Sequence, residues 1–168
     1  MKKTKIMALI GASALWCVGG AYAEPAKNKH QVRIIDGKET TQGAYPFMTA
    51  LVQKGETPEN GHMCGASLID KRYVLTASHC VEGQTSADLD VWISNGEVSL
   101  QQESNGHTLA ISQIYMHLDY DTNSLNNDIA ILELAEEVTD VTPVKLMTPE
   151  QENTLKTGDL LTVMGWGN

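Results

Sequence analysis

Short apolar segments alternate with polar, turn-rich segments along most of the chain. Six of the apolar segments have the length and composition of β-strands. They are residues 47–52, 63–69, 73–77, 89–93, 109–115 and 129–134. The last segment is almost continuously apolar, so we expect that strand to be buried on both faces. Only a short polar turn separates the second segment from the third, which predicts a β-hairpin.

Few helix signals accompany these strands. No helical period is sustained for three turns, and the only helix that we expect is a turn or two at residues 78–82. Residues 135–158 contain two prolines and are predicted to be a connector, whereas residues 160–167 are predicted to begin another strand. Several short strands separated by turn signals predict an all-β barrel or sandwich. The length of 168 residues fits one domain.

The N-terminus has the pattern of a secretory signal. Three lysines among the first five residues precede an apolar run at residues 6–18, and alanines at positions 21 and 23 form a small-x-small cleavage motif. We therefore predict a signal peptide over residues 1–23 and a secreted protein, extracellular or periplasmic, with no membrane segment after signal removal. The alternatives are a retained N-terminal anchor and lipid attachment at Cys17.

The chain is acidic, with a formal net charge of -9 at pH 7. Its basic residues form no stripe of the kind that binds a phosphate backbone. We therefore expect no nucleic-acid partner.

Removal of the signal peptide would leave Cys64 and Cys80 as the two cysteines of the chain. An even pair of cysteines in an exported chain favours a disulfide, and closing a loop of this length is worth about 3 kcal/mol in the chain-entropy model. The alternative is two buried free thiols. With a disulfide assigned, the histidine and cysteine spacings leave no zinc site, and we expect no metal and no cofactor.

Two residues are candidates for acid–base chemistry. His79 follows an apolar strand, and an imidazole can take up and return a proton near neutral pH. Asp128 opens an apolar run, where a partly desolvated carboxylate needs a partner to stay ionised. The ring N–H of a histidine is a suitable partner. The alternatives are a surface or structural histidine and an aspartate that caps a turn.

Three stretches carry a family resemblance. Residues 63–69 read Met-Cys-Gly-Ala-Ser-Leu-Ile, residues 76–80 read Thr-Ala-Ser-His-Cys and residues 127–132 read Asn-Asp-Ile-Ala-Ile-Leu. In this order they resemble the first half of a chymotrypsin/trypsin-like serine protease. Met-Gly-Trp-Gly at residues 164–167 is similar to the start of the second barrel in that family, although Leu161 stands where members often carry a cysteine.

The resemblance implies a fold and a site. The implied fold is the N-terminal Greek-key β-barrel of the two-barrel trypsin-like fold, with only the first strand of the second barrel present. The implied site has His79 as the general base and Asp128 as the carboxylate that orients it, as in the triad of that family. The resemblance also implies that Cys64 pairs with Cys80.

A maturation step is implied as well. Zymogens of this family are cut between a basic residue and a branched apolar one, which Arg33 and Ile34 match, although Asp36 stands where glycine is frequent. Residues 24–33 are then a propeptide, and residues 34–168 are an incomplete protease domain. The expected partners are an activating protease and a protein or peptide substrate.

The nucleophile of this family is missing from the sequence. The family order is histidine, aspartate, serine, and residues 1–168 contain neither a Gly-Asp-Ser-Gly-Gly-type turn nor a G-x-S-x-G motif. We therefore expect a truncated first part of a secreted trypsin-like endopeptidase precursor that is inactive alone. Ser78 adjoins His79, but nothing marks it as the nucleophile. The alternative is a non-catalytic exported binding module that kept the first barrel.

Some relatives hold Ca²⁺ in the loop that corresponds to residues 95–105. Glu97 and Glu103 could supply oxygen ligands here, but their spacing is not that of a full oxygen cage. We predict a solvated acidic loop instead.

Overall fold

The computed structural model describes residues 37–101 and 105–167. Six β-strands form the frame of this part of the chain. They are β1 (Met48–Gln53), β2 (His62–Asp70), β3 (Tyr73–Thr76), β4 (Leu89–Ile93), β5 (His107–Met116) and β6 (Ala130–Leu134). Each corresponds to one of the six predicted strands, with ends that agree to within two residues.

The strands form one closed antiparallel barrel in the order β1-β2-β3-β6-β5-β4. β1, β2 and β3 pair in succession, and β4 then returns to pair with the other edge of β1. This arrangement is a Greek key. β5 and β6 close the barrel by pairing with each other, with β4 and with β3. The all-β Greek-key barrel is therefore confirmed.

Alternate residues of the strands point inward and form the core. The large core side chains without solvent exposure include Leu51, Leu68, Val74, Val91 and Leu132. Three of the six ladders, β1–β2, β2–β3 and β5–β6, contain a register shift. Such irregularities increase the local twist of a strand, and strong twist allows a sheet of only six strands to close on itself.

β6 is buried on one face only, so the expectation of a strand buried on both faces is wrong. Ala130, Leu132 and Leu134 are buried, whereas the side chain of Ile131 is 37% exposed. A closed barrel has a single interior, and an outward side chain meets solvent unless another segment covers it. Ile131 makes the run look continuously apolar in the sequence, but its side chain points outward and is not buried in the fold.

A second, smaller apolar cluster lies on the outer face of β1 and β4. Its members are Ala50, Val52 and Trp92, with Leu100 and Trp166 packed against them. The ring centroids of Trp92 and Trp166 lie 5.5 Å apart. Because this outer face is covered, β1 is buried on both sides along most of its length.

The strand predicted at residues 160–167 is not formed in the described part of the chain. Leu160, Leu161 and Val163 are 99%, 77% and 85% exposed. A strand needs a neighbour for its backbone hydrogen bonds, and this segment pairs with none of the described strands. Trp166 instead holds the segment to the barrel, because its indole N–H donates to the carbonyl oxygen of Glu97 at 3.1 Å.

Helical structure is limited to single turns in the described residues. The turn expected near residues 78–82 is confirmed as a 3₁₀ turn at Ser78–Cys80. Two further turns were not predicted, α1 (Pro58–Gly61) and α2 (Pro149–Glu152), because four residues are too few to display a helical period. Among the described residues, no helix has the length and apolar character needed to cross a membrane.

Candidate active site

The 3₁₀ turn Ser78–Cys80 lies just beyond the end of β3 and is tied to β2. A disulfide joins Cys80 to Cys64 in β2, with their Cα atoms 6.1 Å apart, so the predicted disulfide is confirmed. The Thr76 hydroxyl adds a second link by donating to the carbonyl oxygen of Gly65 at 3.1 Å. For a sequence separation of 16 residues, chain entropy assigns the disulfide about 3 kcal/mol. These links restrain the backbone that carries His79.

Strand register brings Asp128 to the same place. Thr76 of β3 is paired with Ala130 of β6 in an antiparallel ladder. The residues that follow Thr76 therefore lie beside those that precede Ala130, which places His79 near Asp128 despite a sequence separation of 49. Asn127 directly before Asp128 has a left-handed φ of 57°, a conformation that asparagine tolerates better than most residues.

One carboxylate contacts both the backbone and the ring of His79. Oδ1 of Asp128 accepts the backbone N–H of His79 at 2.8 Å, and Oδ2 lies 2.6 Å from Nδ1 of the ring. The Asp128 side chain is 19% exposed and the His79 side chain is 52% exposed. The structure thus brings the two predicted site residues together, and their catalytic roles stay predictions.

Charge and hydrogen bonding define the tautomer of the imidazole. The hydrogen bond from the His79 ring, followed by that from the His79 backbone, lowers the pKa of Asp128 below its ordinary value and outweighs partial burial. An ionised carboxylate can only accept hydrogen bonds, so Nδ1 must carry the proton that it donates. In the neutral ring the lone pair then lies on Nε2, as a general base at that atom requires.

Ser78 has a structural position that the sequence did not reveal. It is fully buried, and its hydroxyl donates to the carbonyl oxygen of Ile129 at 2.7 Å. This bond joins the turn that carries His79 to the residue that follows Asp128. A buried hydroxyl in this role is not a nucleophile, in agreement with the sequence analysis. No local pattern distinguishes such a serine, because its acceptor lies 51 residues away.

Several predicted features lie outside the described residues. They are the signal peptide at residues 1–23, the propeptide at 24–33, the cleavage site between Arg33 and Ile34, and the side chain of Glu103.

The prediction of a solvated acidic loop is wrong at Glu97, which is only 3% exposed. Its carboxylate accepts the backbone N–H of Asn105 at 3.1 Å and the side-chain amide of Gln42 at 3.4 Å. A buried carboxylate needs such donors; the far end of the loop supplies one of them, and Gln42, before β1, supplies the other. Glu97 therefore organises the loop that covers the outer face of the barrel.

A closed six-stranded Greek-key barrel that carries a disulfide and a histidine–carboxylate pair at the end of β3 matches one barrel of the trypsin fold. The family model named Trypsin matches residues 34–168. The chain therefore belongs to the trypsin-like serine protease family.

Sequence similarity to individual relatives supports this assignment. Trypsin Blo t 3 of Blomia tropicalis is 33% identical over 91% of this chain and 59% of that protein. Trypsin theta of Drosophila erecta is 30% identical over 95% of this chain and 56% of that protein. The chain thus spans little more than half the length of these relatives.

Among solved structures, the VesB protease of Vibrio cholerae is similar with a TM-score of 0.67 and 38% identity, over 74% of this chain and 37% of that one. The secreted serine protease VesC of Vibrio cholerae is similar with a TM-score of 0.64 and 33% identity, over 71% of this chain and 25% of that one.

Proposed function

We propose that this chain is the N-terminal part of a trypsin-like serine endopeptidase, which hydrolyses peptide bonds in proteins or peptides. His79 is the general base, and Asp128 orients the ring and stabilises its protonated form. The observation that carries the proposal is the 2.6 Å contact between Nδ1 of His79 and Oδ2 of Asp128, on a ring that is half-exposed to solvent.

The chemistry is acyl transfer to a serine, and Nε2 of His79 carries the proton in each step. In the complete enzyme this nitrogen takes the proton of a serine hydroxyl as the serine oxygen attacks the peptide carbonyl, and then gives the proton to the leaving amine. It next takes a proton from the water that attacks the acyl-enzyme, and it returns this proton to the serine oxygen as the acyl–serine bond breaks. Asp128 remains ionised and stabilises the imidazolium at each stage. The nucleophilic serine and the oxyanion donors come from residues outside this sequence.

The 168-residue chain is therefore inactive alone in this proposal. A general base contributes about 10²–10⁴-fold to a rate, and it cannot form an acyl-enzyme without a nucleophile. A fluorophosphonate probe, which labels activated serines, is expected to leave the chain unlabelled. Labelling of the chain would contradict this assignment of roles.

We further infer that the protein is exported and activated by proteolysis. The basic, apolar and small-residue pattern of residues 1–23 supports export, and the pairing of Arg33 with Ile34 supports cleavage between them. Mass spectrometry of the mature protein is expected to find Glu24 first and Ile34 after activation. Any other N-terminus would contradict one of the two cleavages.

A chimeric protein tests the catalytic role of His79 directly. Residues 34–168 are joined to the part of the Vibrio cholerae VesB protease that lies beyond its matched region. We expect this chimera to be labelled by the fluorophosphonate and to hydrolyse a fluorogenic peptide amide. His79→Ala should lower its kcat by about 10²–10⁴-fold. The matched control is His107→Ala, which removes a surface histidine of β5 and should leave kcat unchanged.

A second measurement does not depend on the chimera. In the ¹⁵N-labelled 168-residue chain, the hydrogen-bonded Nδ1–H of His79 should give a downfield proton signal that Asp128→Ala removes. Asp140→Ala is the control, since that carboxylate lies 3.7 Å from Nδ1 of His107 instead. A folded chimera that stays unlabelled while this signal is present would contradict the enzyme proposal and favour the non-catalytic binding module.

A further inference from the structure

Three potential metal ligands converge beside the candidate active site. Sγ of Cys64, Sγ of Cys80 and a ring nitrogen of His79 all lie within 4.8 Å of one another, the one such group found among the described residues. Nε2 of His79 is 3.4 Å from Sγ of Cys80. A tetrahedral zinc ion holds a nitrogen and a sulfur ligand about 3.6 Å apart and two sulfur ligands about 3.8 Å apart. The nitrogen and the nearer sulfur already have the spacing of ligands to one ion.

The imidazole is also oriented as in a metal site. Its Nδ1 donates to Oδ2 of Asp128 at 2.6 Å, and its Nε2 lies 3.4 Å from Sγ of Cys80. Histidines that bind metals almost always donate their second ring N–H to a carboxylate, a carbonyl or water, and this contact orients the ring. Asp128 supplies that contact here, and its bond to the His79 backbone N–H restrains the same residue at a second point.

The two cysteine ligands are at least partly buried, whereas the histidine ligand is exposed, so the site is open to a cation from solvent. Cys80 is buried and Cys64 is partly buried, so packing in the barrel restrains both cysteine side chains. The His79 side chain is 52% exposed, so a cation can reach Nε2 from solvent. A fourth coordination position would face solvent and hold water.

We propose that reduction of the disulfide converts this place into a binding site for one zinc-class divalent cation, with Cys64, Cys80 and His79 as its protein ligands. The inference goes beyond the proposed function and does not require it, because no nucleophile takes part. It refines the sequence-based expectation of no zinc site, which holds only while the two sulfur atoms are bonded to each other.

The chemistry balances with a phosphine as reductant. The phosphine takes the oxygen of one water molecule and becomes the phosphine oxide, supplying two electrons that break the S–S bond. The two protons of that water complete the thiols of Cys64 and Cys80. The cation then forms two metal–sulfur bonds and one bond to Nε2, and the two thiol protons are released to solvent.

Cobalt(II) is the probe because its tetrahedral complexes absorb visible light and zinc complexes do not. The 168-residue chain is reduced with a phosphine, freed of reductant without oxygen, and titrated with Co²⁺. We expect one equivalent to produce tetrahedral d–d bands and thiolate-to-cobalt charge transfer, which Zn²⁺ then abolishes. The oxidised chain is expected to produce neither. Bound cation should also raise the unfolding temperature of the reduced chain.

Variants separate this site from adventitious binding to thiols. Cys64→Ser should abolish the charge-transfer band, and His79→Ala should weaken Co²⁺ binding at least tenfold. Asp128→Asn should weaken it about 10–100-fold, the usual effect of losing a partner of a metal-bound histidine. Cys17→Ser, which removes the third cysteine of the sequence, and His107→Ala, which removes a histidine outside the group, are the controls, and both variants should bind as the unaltered chain does.

Three results would each overturn the proposal. The first is a reduced chain that binds no Co²⁺. The second is equal affinity in the unaltered chain and in His79→Ala, which would mean that thiols alone account for binding. The third is a reduced chain whose circular dichroism lacks the β-barrel signal with Co²⁺ present, because the ligands converge only in the folded barrel.

Discussion

Gly106 offers a sharp test of the packing on the outer face of the barrel. A Cβ atom added there would lie 2.4 Å from Nε1 of Trp92, 2.7 Å from Cε2 and 2.8 Å from Cζ2. Trp92 is 1% exposed and its ring centroid lies 5.5 Å from that of Trp166, so a shift of its ring would disturb buried packing. We therefore expect Gly106→Ala to destabilise the fold by overpacking.

The expected cost is in the middle of the usual range for overpacking. Extra methylenes in a packed core cost about 1–3 kcal/mol, and the overlap here involves three atoms of a rigid ring. A cost of about 2 kcal/mol would lower the Tm by roughly 5–10 °C for a domain of this size. With a urea m-value of about 2 kcal/mol/M, the unfolding midpoint would fall by about 1 M.

Gly65→Ala is the matched control, and its effect should have the opposite sign. Gly65 is exposed in β2, and a Cβ atom added there has no other atom within 4 Å. Restricting the unfolded chain at such a position stabilises a protein by about 0.4–1 kcal/mol. Urea unfolding followed by circular dichroism measures both variants. Overpacking against Trp92 is contradicted if Gly106→Ala is as stable as the unaltered chain, or if both substitutions shift the unfolding midpoint in the same direction.

Two further predictions concern a buried hydroxyl and an acid-sensitive loop. Ser78→Ala should cost about 1 kcal/mol in urea unfolding, because its carbonyl acceptor keeps a bond from the His117 N–H at 3.1 Å. Ser112→Ala, which removes an exposed bond to a β6 carbonyl, should cost less than about 0.5 kcal/mol, and equal costs would argue against a stabilising bond between Ser78 and Ile129. The pKa of Asp121 is lowered mainly by the hydrogen bond that its carboxylate accepts from the Asn123 backbone N–H. The stabilisation from the ionised carboxylate is therefore complete above about pH 4 and is lost as pH falls through the lowered pKa of Asp121. In NMR, the chemical shift of the Asn123 amide should follow that transition with pH, and it should not change with pH in Asp121→Asn. A titration midpoint at or above the ordinary aspartate pKa would contradict this prediction.

The frame of the fold was predictable because strand patterns are local. The segment 89–93 alternates apolar and other side chains with a period of two, and β4 occupies those same residues. The one-turn helices α1 and α2 escaped prediction because a single turn carries no period, although Thr148 and Gln151 form a capping box that marks the start of α2. The extra strand at residues 160–167 was wrong since strand pattern alone does not supply a pairing partner.

The candidate site was predictable through motifs rather than through geometry. His79 and Asp128 were selected by a family resemblance, and their meeting depends on the pairing of Thr76 with Ala130. The role of Ser78 was not predictable, because its acceptor is far away in sequence. From its place beside His79, this serine could be considered only as a nucleophile, and its burial removes that option.

The sequence was enough to locate the six strands of the barrel, the two cysteines of the disulfide, and the histidine and aspartate of the candidate site. These follow from the alternation of side chains and from short motifs, which neighbouring residues carry together. Tertiary structure alone decided that Trp92 and Glu97 are buried, that Ile131 is not, and that two sulfur atoms lie beside the free nitrogen of His79. The physical reason is that burial and contact depend on which distant segment covers a given face, and a local pattern contains no information about that segment.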